Sequence, residues 1–511
     1  MRIGIDLGTT NTVVSYIDEN GMWKPIEFKR NGSKENPYFL PSCIAFNEGG
    51  RMVGQSAIDY GRQHPDRLLR NTKCSMGEYG KKFSIGSNMI TPADVAQYIL
   101  AEVKTELSSQ FPGESFNAYV TVPARFGEPA RRATKTALKN AGFELNECCL
   151  TDEPISASIA YSSHLDKDKV VFVADVGGGT FDLALIKTAI VGSATSPDNI
   201  ETLSWGGELN LGGNDFDECI IKDMARQVAL ETGKDLYVKG GTLLGSAEET
   251  RAADIIRSLP FQIKKQLYAE GATEAHINEE GLLGDYNLDY TLTREKYCSL
   301  MTELVDIMSN HIDSTFVTSS YKMGDVDHVL VIGGMAKEIC LIQLLESKFG
   351  KDRILIPQDA MMLVSRGAAI CNSNLSLHVE NRAYSSIGLV TEMGKNVALI
   401  IKEGDMVKYG TVFNEEVEAS EADATSVFIK LAEYRGAFDP DRYNIIFDEE
   451  VILKSGGKES GKDKMRKFAN AVFGRKTLPR IKIRIDFTED KILVLYVEQK
   501  DGSVSVLNHR L

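Results

Sequence analysis

Asp175-Val176-Gly177-Gly178-Gly179-Thr180-Phe181-Asp182 stands between two apolar runs, Val170-Val171-Phe172-Val173-Ala174 and Leu183-Ala184-Leu185-Ile186. Strand, nearly bare turn and strand in that order read as a β-hairpin. Glycines can take positive φ and let main-chain N–H groups close on an anion that side chains would hold off. Phosphate suits such a turn, and an aspartate at a strand end suits Mg2+, an ion that keeps its waters. A single glycine turn more often only reverses the chain.

A second stretch has the same order: Ile3-Gly4-Ile5-Asp6-Leu7-Gly8-Thr9-Thr10-Asn11-Thr12-Val13-Val14. Recurrence of one supersecondary unit at long spacing implies two similar halves. Two such turns facing each other across a cleft would clamp a polyphosphate and its metal.

Composition sets the bounds. A chain of 511 residues exceeds one core and implies several domains. With 43% hydrophobic and 25% charged residues it is ordinary for a soluble globular protein. A net charge of −14 argues against a general nucleic-acid binder, which needs a basic face. The late basic cluster from Lys458 to Arg484 reads as a solvated loop and strand rim. Arg2 and Asp6 interrupt any apolar leader and no stretch reaches membrane-span length, so a soluble, cytoplasmic protein is expected. Eight cysteines without a Cys-x-x-Cys pair suggest neither zinc nor a disulfide framework. Cys148-Cys149 reads better as buried packing than as a redox pair.

Between the glycine turns the period changes. Val95, Ile99, Val103 and Leu107 step by four along one helix face. Ala118-Tyr119-Val120-Thr121-Val122 reads as a strand, and a helix is expected from Pro129 to Gly142. Strands and helices in alternation imply α/β layers.

Further motifs follow: Val122-Pro123-Ala124-Arg125-Phe126, Arg131-Arg132-Ala133-Thr134, Asp152-Glu153-Pro154, Leu211-Gly212-Gly213-Asn214-Asp215-Phe216-Asp217 and Val329-Leu330-Val331-Ile332-Gly333-Gly334-Met335. With the two turns they resemble the ATPase domain of the heat-shock protein 70 family, in the family's order over roughly the first 370 residues. The resemblance implies an α/β actin-like, ribonuclease-H-like duplicated ATPase domain of two lobes over residues 1–373. A linker over 374–384 and a β-sandwich peptide-binding-like domain without a lid over 385–511 would follow.

The same resemblance implies roles. Asp6 and Asp175 would hold hydrated Mg2+, and Lys73, Glu153, Thr180 and Asp175 would be the catalytic set. Gly8, Thr9, Thr10, Asn11, Gly177, Gly178, Gly179, Gly212 and Gly213 would cradle the phosphates of ATP or ADP, with K+ a further candidate ion. The base side would fall to Lys264, Lys265, Tyr268, Gly333, Gly334, Met335 and Lys337. Residue type alone makes Lys73 an exposed surface lysine. The resemblance sets it beside the γ-phosphate, where a cation offsets spreading charge. Glu153, before Pro154 at the start of a helical stretch, resembles the family's water-positioning glutamate. Hairpin threonines serve equally as β-formers.

The chain departs from the family where the base should sit. Phe261 and Tyr268 replace Glu and Ser, and Lys337 replaces an arginine, removing a planar stacking surface. Pro357-Gln358-Asp359-Ala360-Met361-Met362 is altered as well. Adenine binding is expected to be weakened or rebuilt around aromatics. The polar stretch from Asn372 to Asn381 keeps only Leu375, Leu377 and Val379 of the family's apolar linker.

From Ser385 onward the period is two: Val397, Leu399, Ile401; Val427, Ile429, Leu431; Ile481, Ile483, Ile485, Phe487; and Leu493, Leu495, Val497. Short strands between turns imply a β-sandwich. Its position resembles the family's peptide-binding domain, where an extended apolar peptide pairs with strand edges. Ser455 to Phe468 reads as an insertion. The chain stops at Leu511, where the family's helical lid begins, so weak, transient peptide binding with fast release, or a partner that covers the site, is expected.

The expected function is that of an ATP-driven chaperone in protein folding and stress response. Its partners would be unfolded or extended polypeptides, a J-domain co-chaperone and a nucleotide exchange factor, with neither nucleic acid nor membrane. Three rivals remain. An actin-fold filament or scaffold protein should lack a sandwich behind a linker. A small-molecule kinase needs a base such as Asp182 or Asp217. A nucleotide-gated binder of little hydrolysis would be marked by Phe261, Tyr268 and Lys337.

Overall fold

Strand Lys169–Val176 pairs antiparallel with Phe181–Ala189 across the glycine turn, in a register that sets Asp175 opposite Asp182. On its other side it runs parallel to His328–Ile332, with Asp175 opposite Ile332. The computed structural model describes residues 1–85, 88–162, 169–189, 199–238, 245–317, 319–373, 378–380, 383, 385–391, 396–406, 409–418, 425–441, 443–453, 480–499 and 503–507. Ile354–Leu355 lies beyond His328–Ile332, while Asn199–Glu208 and then His378–Glu380 extend the other side, closing a six-stranded sheet.

Another sheet repeats this order. Arg2–Leu7 pairs antiparallel with Asn11–Ile17 and parallel with Asn117–Val122, which leads on to Leu150–Asp152. Trp23–Pro25 and Leu40–Pro41 both pair with the return strand. An aspartate therefore sits near the turn end of the central strand in both sheets, Asp6 lying in register with Val13 and Thr121.

The helices follow from local chemistry. Thr91 and Asp94 form a capping box on Pro92–Gln110, whose Val95, Ile99, Val103 and Leu107 are all buried, as a step of four requires. Glu128–Asn140 is followed by Gly142 at φ 85°, a left-handed exit. Leu363–Ser373 meets its neighbours almost backbone to backbone. A Cβ on Gly4 would lie 2.1 Å from the Ala369 nitrogen, and one on Gly367 1.8 Å from the Ser156 oxygen. Phe172 is fully buried and stacks on Phe316 and Phe349 at 5.5 and 5.0 Å. Such rings anchor the core through their large apolar area.

The chain forms two compact units. One comprises Met1–Met76, Lys81–Arg125 and Thr134–Val379; the other comprises Gly77–Gly80, Phe126–Ala133 and Glu380–Leu511. The second unit holds two four-stranded antiparallel sheets. One runs Asn396–Ile401, Ser386–Thr391, Ser426–Tyr434, Asn444–Ile452; the other Gly410–Glu418, Arg480–Phe487, Leu493–Glu498, Val504–Leu507. Ile387, Ile429, Leu431 and Phe447 from the first share a core with Ile481, Ile483, Ile485, Leu495 and Val497 from the second. The period of two holds in these central strands. It fails in Asn396–Ile401, where Leu399 is 51% exposed, because an edge strand is covered on fewer sides.

Leu375 and Leu377, the Ser455–Phe468 stretch and the basic residues from Lys458 to Lys476 lie outside the described residues. Arg480, Lys482 and Arg484 lie on one strand and pair with Glu416, Glu498 and Asp486. All eight cysteines are free thiols. Cys149 is buried, and Cys148 sits 3.3 Å from the Tyr119 hydroxyl. Among the described residues no helix is long and apolar enough to cross a membrane.

Candidate functional site

The two glycine turns touch. A Cβ on Gly178 would lie 1.9 Å from Thr10 Oγ1, and one on Gly179 2.9 Å from Thr9 Cγ2. None of Gly8, Gly177, Gly178 or Gly179 takes a positive φ, so the left-handed freedom expected of them is unused. What the turns need is clearance. Gly333 needs both: its φ is 86°, and a Cβ there would meet the Val176 oxygen at 2.5 Å.

The start of helix Gly213–Thr232 hooks onto the turn. Gly213 N–H donates to the Gly177 oxygen at 2.9 Å and Asn214 N–H to the Gly178 oxygen at 2.7 Å, while Asp215 accepts from Gly212 N–H at 2.8 Å. Met335 N–H donates to the Val176 oxygen at 3.0 Å. These bonds fix the turn's carbonyls on protein donors. The N–H groups of Gly178 and Gly179 donate to no protein group among the described residues, the state an anion cradle requires.

Beside the turns lies a buried charge cluster. Lys73 opens a single 3₁₀ turn, Lys73–Ser75, and is buried, which overturns the surface reading of this lysine. Its Nζ donates to Glu153 Oε1 at 2.5 Å, with side chains 8% and 6% exposed. Glu153 starts helix Glu153–Ser162, where a negative charge meets the positive end of the helix dipole. Asp6 accepts from Thr121 Oγ1 at 3.3 Å. Burial, and then the charge of Glu153, push Asp6 up to about 7 and Asp182 up to about 8, and raise Asp175 well above the carboxylate range. Burial pulls Lys73 down, but Glu153 and Asp6 outweigh it and hold the lysine above its usual value.

Neither oxygen of Asp182 has a well-formed hydrogen bond among the described residues. Lys73, Arg125 and the Thr180 hydroxyl ease its charge only in part. Four acids around one lysine, in a site of low dielectric, leave a shortage of positive charge. A divalent cation fits that shortage. Among the described residues no group of three or more His, Cys, Asp or Glu could hold a metal, so the fit is to a hydrated ion touching few carboxylates. Thr9 and Thr180 are both buried beside the turns, and Asn11 begins the return strand.

The base-side residues are gathered only in part. Lys264 pairs with Asp217 at 2.6 Å, and its Nζ lies 3.9 Å from Met335 Sδ. The Tyr268 hydroxyl donates to Glu338, which also accepts from the Tyr297 hydroxyl at 2.6 Å. Burial and then Glu338 push both phenols far above the usual tyrosine value. Lys265 and Lys337 are exposed and their side chains make no hydrogen bond or ion pair among the described residues, and Phe261 is exposed at 52%. The structure thus joins Tyr268, Lys264 and Met335 to their surroundings and leaves the two other lysines in solvent.

Four residues escaped the sequence reading: Glu338, Tyr297, Thr121 and Cys74. Cys74 Sγ lies 3.5 Å from the Gly179 oxygen. Glu338 had one legible signal. A glutamate between Gly333-Gly334 and a new apolar helix stands at the N-cap, and its side chain accepts from Cys340 N–H there.

Two sheets of one strand order, touching glycine turns and a buried acid–lysine cluster define a mixed α/β protein built around a candidate site for phosphate and a cation. The chain belongs to the Hsp70 family: the model of the family described as Hsp70 protein matches residues 2–89 and 78–383. It is 30% identical over 378 residues to the chaperone protein DnaK of Thermosipho africanus, an alignment covering 72% of this chain and 58% of the relative. The chaperone protein DnaK of Thermotoga petrophila is 28% identical over 376 residues, again 72% of this chain and 58% of the relative. The chain therefore spans well under two thirds of the relatives it matches. Members of the family are nucleotide-binding, Mg2+-dependent chaperones, and the family implies an actin-like ATPase fold.

Proposed function

We propose that this chain is an ATP-dependent molecular chaperone, in which hydrolysis of Mg-ATP controls binding of extended apolar polypeptide. The observation that carries it is the buried Lys73–Glu153 pair, set among Asp6, Asp175 and Asp182 where two glycine turns touch. In this reading residues 1–373 are a duplicated, two-lobed actin-like nucleotide domain, 374–384 a linker, and 385–511 a β-sandwich for peptide. A J-domain partner and an exchange factor belong to the same reading.

Each role rests on the chain's own chemistry. The free N–H groups at Gly178 and Gly179, with Gly8, Thr9, Thr10, Asn11, Gly177, Gly212 and Gly213, bind and orient the phosphates. Asp6 and Asp175 hold the waters of the cation. Bound Mg2+ supplies charge neutralisation at the phosphate oxygens. Lys73 offsets charge on the transferred group, and Glu153, released from Lys73, orients the attacking water. Thr180 positions its hydroxyl beside them. Lys264, Lys265, Tyr268, Gly333, Gly334, Met335 and Lys337 form the base side.

A second reading, a nucleotide-gated binder of little hydrolysis, is favoured by one observation. Glu338, fully buried, holds Tyr268 and Tyr297 together on the base side. The test is ATP turnover by wild type and Lys73→Ala, with and without an extended apolar peptide. Slow turnover that peptide accelerates and the substitution abolishes supports the coupled chaperone. Binding of ATP without turnover moves the assignment to the gated binder, and no ATP binding sinks both.

A further inference from the structure

Cys298 and Cys340 bring their sulfurs to 3.2 Å, the Cys340 thiol donating to Cys298. Cys298 lies in the second turn of helix Arg294–Val317, and Cys340 in the first turn of helix Ile339–Phe349. Cys340 is 5% exposed, and its N–H is tied to Glu338 Oε1 at 3.2 Å. Cys298 is partly exposed, and its thiol also faces Gln343 Oε1 at 4.0 Å. Isolated buried cysteines behave as small hydrophobes. Here two thiols meet across two packed helices, inside the van der Waals contact distance of sulfur. Closing to a disulfide of about 2.0 Å requires the sulfurs to move together by only about 1.2 Å.

We propose that Cys298 and Cys340 form an oxidisable dithiol, which a peroxide closes to a disulfide tying the two helices and which a thiol reductant reopens. Cys298, the more exposed sulfur, attacks one peroxide oxygen. The S–O bond forms as the O–O bond breaks, and the thiol proton leaves with the departing hydroxide as water. The Cys340 sulfur then attacks the Cys298 sulfur. The S–S bond forms, the S–O bond breaks, and that hydroxide leaves with the Cys340 proton as a second water. Two electrons pass from the sulfurs to one peroxide. Burial, and then the Cys298 contact, push the Cys340 thiol up, so the first attack on the peroxide falls to Cys298.

The position gives the bond a consequence. Tyr297 precedes Cys298, and Glu338 lies two residues before Cys340, so the disulfide locks the frame that carries the Tyr297–Glu338 hydrogen bond of 2.6 Å. The dithiol itself stands whether or not this side of the protein binds a base.

The full chain is treated with hydrogen peroxide under native conditions, its thiols are counted, and its peptides are mapped without reductant. Two of the eight thiols should disappear, one Cys298–Cys340 linkage should be found, and dithiothreitol should restore both. In Cys340→Ser, Cys298 should stop at a sulfenic acid trapped by dimedone; in Cys298→Ser, whose melting curve should match the wild type, Cys340 should stay reduced. Two thiols that both remain titratable overturn the proposal. So does Cys298 passing to sulfinic acid, or to another partner, while Cys340 stays unlinked in the wild type.

Discussion

Lys73 and Glu153 form a buried ion pair at 2.5 Å between residues 80 positions apart in the chain. The lysine also answers Asp6 and Asp182, so it is the counter-charge of the whole cluster. Removing one partner of a buried pair leaves an uncompensated charge and costs about 3–5 kcal/mol, whereas removing both can be nearly neutral. Lys73→Ala should therefore destabilise the nucleotide-free protein by that order, and adding Glu153→Gln should restore much of it. Denaturant unfolding of the two single variants and the double variant measures the coupling. Additive losses would show that the pair is incidental.

The raised acids make a pH prediction for protein stripped of metal by chelator. Asp182 sits at about 8 when folded, against an ordinary value of 3.8. The folded state then binds more protons than the unfolded chain between those values, so stability falls as pH rises from about 4 to about 8. Below about 4 both states are protonated and the penalty is absent. Asp182→Asn should flatten the slope and raise the melting temperature at pH 8, and Mg-nucleotide should do the same in wild type. A melting temperature that rises over this window would contradict the charge shortage.

At Gly178 the demand is for space. A Cβ there would be 1.9 Å from Thr10 Oγ1 and 3.1 Å from its Cβ, whereas at Gly177 the nearest atom would be Thr180 Oγ1 at 3.4 Å. Gly178→Ala should cost roughly 1–3 kcal/mol, in the range of overpacking, and weaken nucleotide binding. Gly177→Ala is expected to fold as wild type. Combining Gly178→Ala with Thr10→Ala should recover stability, read by thermal melts, because the colliding hydroxyl is gone. No recovery would place the strain elsewhere.

Much of this was legible in the residues themselves. The hairpins and the stripe from Val95 to Leu107 are local patterns, fixed by period within a few residues. The reason for the glycines was not, since clearance against Thr9 and Thr10 depends on how two distant turns meet. Lys73 sits in an irregular segment without periodicity, and only the family resemblance drew it to the site. Leu399 alternates like a core residue but lies on an edge strand, a fact set by sheet order. The base-side cluster joins residues 41 and 70 positions apart, a juxtaposition no local pattern announces.

That cluster yields the last prediction. Glu338 is fully buried and accepts from two tyrosine hydroxyls, which themselves lie 3.5 Å apart. Glu338→Ala would take the shared acceptor from both hydroxyls and leave them only their long mutual contact of 3.5 Å, at a total cost of about 1–3 kcal/mol. Tyr268→Phe removes one donor and leaves Tyr297 to satisfy the acid, so its cost should be nearer 1 kcal/mol. Chemical denaturation separates these values. The same variants address the base. If Tyr268 shapes the pocket beside Lys264 and Met335, Tyr268→Phe and Glu338→Gln should change the ratio of ATP to GTP affinity, and binding of inorganic triphosphate should stay constant. Equal ratios in wild type and both variants would mean that the network serves packing alone, with selectivity residing in other groups around the Gly333-Gly334 turn.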